Sequence, residues 1–293
     1  MKKIIRVTLV LIVSGVLLVG CTKGQSSDLG VKGEISVISR EDGSGTRGAF
    51  VELLNIEEKD SNGNKADLTT KEATIAPKTD VMLTNVSGDE SAIGYVSIGS
   101  LNDDIKQIIK AVKIDGVEAT GENVKNGTYK VARPFNIATN GEPTGLAEDF
   151  ISYILSAEGQ AVVSKSYISI DDNAPSYSGS RPEGKIVIAG SSSVYPIIEK
   201  LKEAYLEINT GAEIEIQMSD STAGMNAAID GTCDIGMASR SLKESEKEKL
   251  IDTEIAIDGI AVIVNIENSI EDMTSEQVKE VFKGNIKMWQ DIK

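Results

Sequence analysis

Lys185-Ile186-Val187-Ile188-Ala189-Gly190-Ser191-Ser192-Ser193-Val194-Tyr195-Pro196 carries an apolar strand through a glycine and three serines toward a helix. Over residues 194–206, Val194, Ile197, Ile198, Leu201 and Tyr205 fall on one face, the 3.6-residue period of a core-packed helix. The same grammar appears upstream. Ile35-Ser36-Val37-Ile38-Ser39 leads through Arg40-Glu41-Asp42-Gly43-Ser44-Gly45-Thr46-Arg47 into an apolar helix over 48–54. A third start, Gln217-Met218-Ser219-Asp220-Ser221-Thr222-Ala223-Gly224, opens a short helix with Met225, Ala228 and Ile229 inward, ending near Gly231. Strand-like residues 234–237 and a long apolar run, 255–264, follow. Alternating strands and helices predict an α/β fold with mostly parallel sheets. Residues 171–184 (DDNAPSYSGSRPEG) are dense in Pro, Gly, Ser and Asp and read as a linker or long surface turn.

The chain's 293 residues suffice for two ordinary domains. Its formal charge is −15, and −18 once the three basic residues before Cys21 are removed. That acidity excludes a nucleic-acid backbone as partner, which needs clustered Lys and Arg, but not a small anion, which answers to local donors. The chain has no histidine, so a Ser-His-Asp triad, a zincin and any His-bearing zinc site are excluded. No cofactor or metal is expected. Cys21 lies in the export segment, so Cys233 reads as a small buried apolar residue rather than a reactive thiol.

Lys2, Lys3 and Arg6 precede residues 7–19, an apolar run broken by Thr8, Ser14 and Gly15. The run is short for a membrane span and suits a signal-peptide core. It ends in Leu18-Val19-Gly20-Cys21, which resembles a bacterial lipobox. Residues 1–20 are then a lipoprotein signal peptide, Cys21 carries the acyl anchor (palmitate), and the polar residues 21–33 form a tether. The expected place is the extracytoplasmic face of a bacterial cell membrane.

The three helix starts share small hydroxyl residues and glycines. A helix N-terminus presents unpaired N–H groups and partial positive charge, serine and threonine add donors, and glycine permits close approach. One such start is merely a good N-cap. Three on one chain, with Arg40 beside one and Arg240 after another, point to a convergent site for a tetrahedral anion. No Walker pattern, GxSxG elbow or Ser-x-x-Lys pair is present, so an enzyme is not expected.

Arg40-Glu41-Asp42-Gly43-Ser44-Gly45-Thr46-Arg47 is very similar to the signature loop of phosphate-binding proteins of the high-affinity phosphate ABC transporter. Ala189-Gly190-Ser191-Ser192-Ser193-Val194-Tyr195-Pro196 resembles that family's first anion loop. Three more stretches resemble family blocks: 234–240 (DIGMASR), 256–265 (AIDGIAVIVN) and 282–289 (FKGNIKMW). The order departs from the family's, in which the Ser-Ser-Ser block comes first and the Asp-Gly-Ser-Gly-Thr block follows the Trp block. The chain reads as a circular permutation, with 171–184 joining the ancestral ends; a fragment of a tandem array is the alternative.

The resemblance implies a two-lobed periplasmic-binding-protein-like fold (type II) with hinge crossovers near 131–137 and 255–264. One lobe would combine 34–130 with 266–293 and carry the Asp-Gly-Ser-Gly-Thr loop; the other would be 131–265 with the Ser-Ser-Ser loop. It implies Arg40, Ser44, Gly45 and Thr46 as phosphate contacts from one lobe, and Ser192, Ser193, Val194 and Ser221 from the other. Asp258 is the expected acceptor for the proton that phosphate carries and sulfate lacks, with Arg240 as charge partner. Arg47 reads as a solvated helix-start residue, and Asp42 as a partner that orients Arg40. The implied function is capture of inorganic phosphate, as a monomer, for ABC permease subunits. Binding of sulfate or molybdate, or phosphate sensing without import, are the alternatives.

Overall fold

The computed structural model describes residues 33–59 and 65–292; the signal segment, Cys21 and the tether up to residue 32 lie outside them. In chain order the elements are β1 (Ser36–Arg40), α1 (Gly45–Leu53), β2 (Glu57–Lys59), β3 (Lys65–Asp67), β4 (Thr74–Ala76), α2 (Thr79–Ser87), β5 (Ala92–Ser97) and β6 (Ile109–Ile114). Then come α3 (Gly121–Lys125), β7 (Ala132–Thr139), α4 (Gly145–Ile154), α5 (Ala157–Val163), β8 (Gly184–Ser191), α6 (Tyr195–Ile208), β9 (Ala212–Ser219) and α7 (Ser221–Ile229). The chain closes with β10 (Ile235–Ala238), α8 (Glu244–Lys247), β11 (Ile251–Asn265), β12 (Asp272–Met273) and α9 (Ser275–Phe282).

The apolar run of the sequence is the later part of β11, a strand of 15 residues that takes different neighbours along its length within one sheet. Its first part pairs with β7, from Ile251 opposite Thr139 to Gly259 opposite Ala132, with a bulge between Glu254 and Ala256. From Ile260 onward it pairs with β5 on one edge and β6 on the other. The resulting order is β4-β1-β5-β11-β7-β10-β8-β9. The pairs β1–β4, β1–β5, β8–β9, β8–β10 and β6–β12 are parallel, while every pair that includes β7 or β11 is antiparallel. The sheet is therefore mixed rather than mostly parallel. Its two central strands run between the halves in opposite directions, which alternating strands and helices alone do not reveal.

Side chains of the second part of β11 alternate between two cores, as period two requires. Ile260, Val262 and Val264 join Phe50, Tyr95, Phe282 and Trp289 on one face. Ala261 and Ile263 join Ile38, Met82 and Val86 on the other. The first part instead packs Ile255 and Ala256 with Phe135, Phe150, Ile188, Ile198 and Leu201. Cys233 is buried beside Met225 and Ala228, and burial pushes its thiol up to about 11, an inert state.

Residues 171–183 hold no helix or strand, yet they are fastened. Ala157 N–H donates to the Pro175 carbonyl at 2.8 Å, and Ser180 N–H donates to Asp149 at 2.8 Å. Tyr177 and Tyr205 hydroxyls donate to the same buried carboxylate. The two ends of the described chain lie side by side. Glu34 bridges antiparallel to Met288, Ile35 N–H donates to the Lys287 carbonyl and Trp289 N–H to that of Gly33.

Candidate anion-binding site

Four helices begin at one point. Helix α1 starts at Gly45, earlier than the apolar pattern predicts, because Ser44 caps it by accepting from Arg47 N–H. Helix α7 starts at Ser221 under the Asp220 cap, and α6 starts at Tyr195 just after the three serines. The fourth, α2, starts at Thr79. First-turn N–H groups have no partner within their own helix, so these ends concentrate donors and positive potential.

Hydroxyls from these starts form one buried cluster. Thr46 and Ser193 share a hydrogen bond of 2.8 Å, and Thr79 lies 3.3 Å from both Ser192 and Ser193. Ser191 donates to Ser239 Oγ at 3.0 Å, and Ser221 Oγ accepts from Ser239 N–H at 3.1 Å. Arg40, only 2% exposed, brings the charge. It donates through Nη2 to Ser192 Oγ at 3.1 Å and through Nη1 to Thr79 at 3.3 Å. Glu41 clamps the far side of the guanidinium, accepting from Nε at 2.8 Å and Nη2 at 2.7 Å. A planar fork held this way presents its remaining N–H groups at a fixed angle.

The two sides of the cluster touch. Thr222 N–H donates to the Gly43 carbonyl at 3.2 Å, and a Cβ on Gly45 would stand 2.4 Å from Ser221 Oγ. Only glycine allows that approach.

The structure thus brings together Arg40, Gly45, Thr46, Ser192, Ser193 and Ser221. Ser44 serves as the α1 cap, and Val194 N–H donates to the Ser191 carbonyl at 3.1 Å. Asp258 has no direct contact with the hydroxyls of the cluster, and Arg240 passes its aliphatic stem beside Gly45 while its guanidinium turns away. Arg240 makes a two-pronged pair with Glu246, at 2.7 and 2.8 Å, and reaches Thr222 at 3.4 Å. Asp258 accepts from Ser97 at 2.8 Å and from Arg133 at 3.2 Å, both buried. Burial pushes the Asp258 carboxyl up and the Arg133 guanidinium down, and each charge opposes the other's shift. A guanidinium stays protonated through such a shift, so Arg133 remains a donor to the carboxyl. Arg40 is oriented by Glu41, not Asp42. Asp42 and Asp67 instead hold Arg47, whose Nη1 also donates to the Arg40 carbonyl at 3.0 Å. Arg47 is therefore a loop brace rather than a solvated residue. Thr79, Ser191 and Ser239 are the members that sequence reasoning missed. Ser191 and Ser239 lie inside blocks it quoted, and Thr79-Asp80 after Pro77 is a modest helix-start signal.

A sequence profile described as "PBP superfamily domain" matches residues 2–158 and 175–293, which places the chain in that superfamily of binding proteins. "Phosphate-binding protein PstS 2" of Streptococcus agalactiae serotype V is 51% identical over 279 residues, 94% of this chain and 93% of that one. The chain belongs to the PstS family of phosphate-binding proteins. A crystal structure described as a phosphate ABC transporter, phosphate-binding protein, from Streptococcus pneumoniae TIGR4 superposes with a TM-score of 0.70 at 42% identity, covering 89% of this chain and 100% of that one. "Phosphate-binding protein PstS" of Staphylococcus saprophyticus is 38% identical over 118 residues, which is 38% of this chain and 37% of its own.

Proposed function

We infer that this protein captures inorganic phosphate outside the cytoplasm as the binding component of an ABC-type phosphate importer, and does no chemistry on it. The observation that carries the reading is the buried Arg40 guanidinium set among hydroxyls from four helix starts on both sides of the crossover strands. Such a site offers many donors and one fixed cation, the complement of a compact oxyanion. Neither side completes it alone, so the anion would favour the closed arrangement, which then docks on a permease. Ser44, Gly45, Thr46, Ser192, Ser193, Ser221 and Arg40 remain the proposed contacts, extended by Thr79, Ser191 and Ser239, while Val194, whose N–H is given to the Ser191 carbonyl and whose side chain lies in the core, leaves the set. In this reading Arg240 acts at one remove, through Thr222, and so does Asp258, through Arg133.

The lobes would be 34–130 with 266–293, and 131–265, sharing β11. The separate cores on either side of Gly259 and Ile260 support that division. The adjacency of Glu34 and Met288 supports a circular permutation, since new ends arise where old ones can be joined. The short match to the staphylococcal protein is what a different motif order would give, whereas the S. agalactiae protein aligns end to end. Acylation of Cys21 at the lipobox-like segment would hold the protein at the membrane.

Calorimetric titration of the purified, anion-stripped protein with phosphate, with sulfate as a parallel titrant, tests the reading. Tight one-to-one phosphate binding is expected; no heat with phosphate, or tighter binding of sulfate, would overturn it.

A further inference from the structure

We propose that Arg133 is a positioning residue that ties the crossover strands to the phosphate site by holding the Ser239–Arg240 backbone. This rests on the phosphate-binding reading above. Arg133 lies on β7 directly opposite Asp258 on β11, and the two form the buried ion pair already described. Its other terminal nitrogen, Nη1, donates to the Ser239 carbonyl at 2.9 Å. Three residues on, Asn136 donates through Nδ2 to the next carbonyl, that of Arg240, at 3.0 Å. Two side chains of one crossover strand therefore grip two consecutive carbonyls just past the end of β10.

Ser239 is the hub of the hydroxyl cluster. Its Oγ meets Ser191, Ser221 and Thr46 at 3.0, 3.4 and 3.5 Å, and its N–H donates to Ser221. A shift of its carbonyl moves a group shared by both sides of the cleft.

The pair is also costly to maintain, which argues for a role beyond cohesion. A buried ion pair repays its desolvation only with good geometry and full hydrogen bonding. Here Arg133 Nε has no hydrogen-bond partner among the described residues, and the guanidinium lies over the Phe135 ring, 5.2 Å from its centroid. An apolar pair would remove the unpartnered Nε but would strand the Ser239 carbonyl and the Ser97 hydroxyl that the pair now satisfies.

The test separates cohesion from positioning. R133M/D258L replaces the pair by apolar side chains of similar size, and R133K keeps the charge but loses the guanidinium fork that reaches Asp258 and the Ser239 carbonyl through separate nitrogens. Each is compared with wild type by thermal melting without ligand and by phosphate calorimetry. Expected is a near-native melting midpoint for R133K, a lowered one for the double variant, which strands the Ser97 hydroxyl and the Ser239 carbonyl, and phosphate affinity at least about tenfold weaker in both, the scale of one lost charge-assisted hydrogen bond. Wild-type affinity in either folded variant overturns the proposal. If the double variant does not fold, R133K alone decides. A wild-type protein that takes up no phosphate would instead overturn the functional reading.

Discussion

Thr46 and Ser193 stand 147 positions apart in the chain and share a 2.8 Å hydrogen bond between the hydroxyls of two different helix starts. They meet only because two distant helix starts converge, so in the proposed site each supplies one half of the contact. Thr46→Val keeps the shape and removes one donor. Phosphate affinity is expected to fall about tenfold or more, with little change in ligand-free stability. Thr79→Val should behave alike, because Thr79 meets Arg40 and both serines. Calorimetry on both variants checks this, and undiminished affinity in T79V would remove Thr79 from the site.

Two glycines separate closure from folding. At Gly45 an added Cβ would stand 2.4 Å from Ser221 Oγ and 2.8 Å from Ser239 Oγ, both across the cleft. Gly45→Ala is expected to melt like wild type without ligand yet bind phosphate far more weakly, because the sides cannot meet. At Gly190, φ is +133°, and a Cβ would press the Met237 carbonyl at 2.3 Å within one half. Gly190→Ala is expected to lower the melting temperature itself. A G45A protein that binds normally would mean that the contact at Gly45 is dispensable.

Much of this was legible in the residues. The Ser-Ser-Ser and Asp-Gly-Ser-Gly-Thr loops announce helix N-termini because glycine, serine and threonine have few other reasons to cluster before an apolar periodic run. Asp258 and Arg240 show the limit. Sequence places both near binding loops but says nothing of Arg133 opposite one or Glu246 beside the other. Pairing between distant segments is a property of register, and β7 with β11 reads only as two apolar stretches. Thr79 was missed for a related reason: a single threonine after Lys78 carries no glycine or second hydroxyl to distinguish it.

Asp149 fastens residues 171–183 to the helices beneath. Burial works to raise its carboxyl, but hydrogen bonds from Tyr177, Tyr205 and the Arg181 and Ser180 amides outweigh it and hold it below the ordinary carboxylate range. A depressed folded-state pKa means stability that is present above the unfolded value and is lost as pH falls through the folded one. Asp149→Asn is expected to cost about 1–3 kcal/mol at neutral pH, shrinking in acid, with phosphate affinity unchanged. Urea midpoints across that acid range check the sign; a deficit that grows in acid would contradict it.

The adjacency of Gly33 and Trp289, near the two ends of the described residues, makes a final prediction about order. Trp289 N–H donates to the Gly33 carbonyl at 3.0 Å and Gly33 N–H to Gln290 Oε1 at 3.2 Å, so a short Gly/Ser linker can join residue 292 to Gly33. New ends opened between Asn173 and Ala174 cut an exposed segment while leaving the Pro175, Tyr177 and Ser180 attachments intact. The rearranged chain would carry the Ser-Ser-Ser loop first and the Asp-Gly-Ser-Gly-Thr loop second. Both β11 and β7 keep their partners, so the cleft is preserved. It is expected to fold and to bind phosphate as the natural order does, measured by calorimetry beside wild type. A rearranged chain that folds but cannot bind would mean that the covalent order itself, and not only the assembled fold, sets the geometry around Ser239.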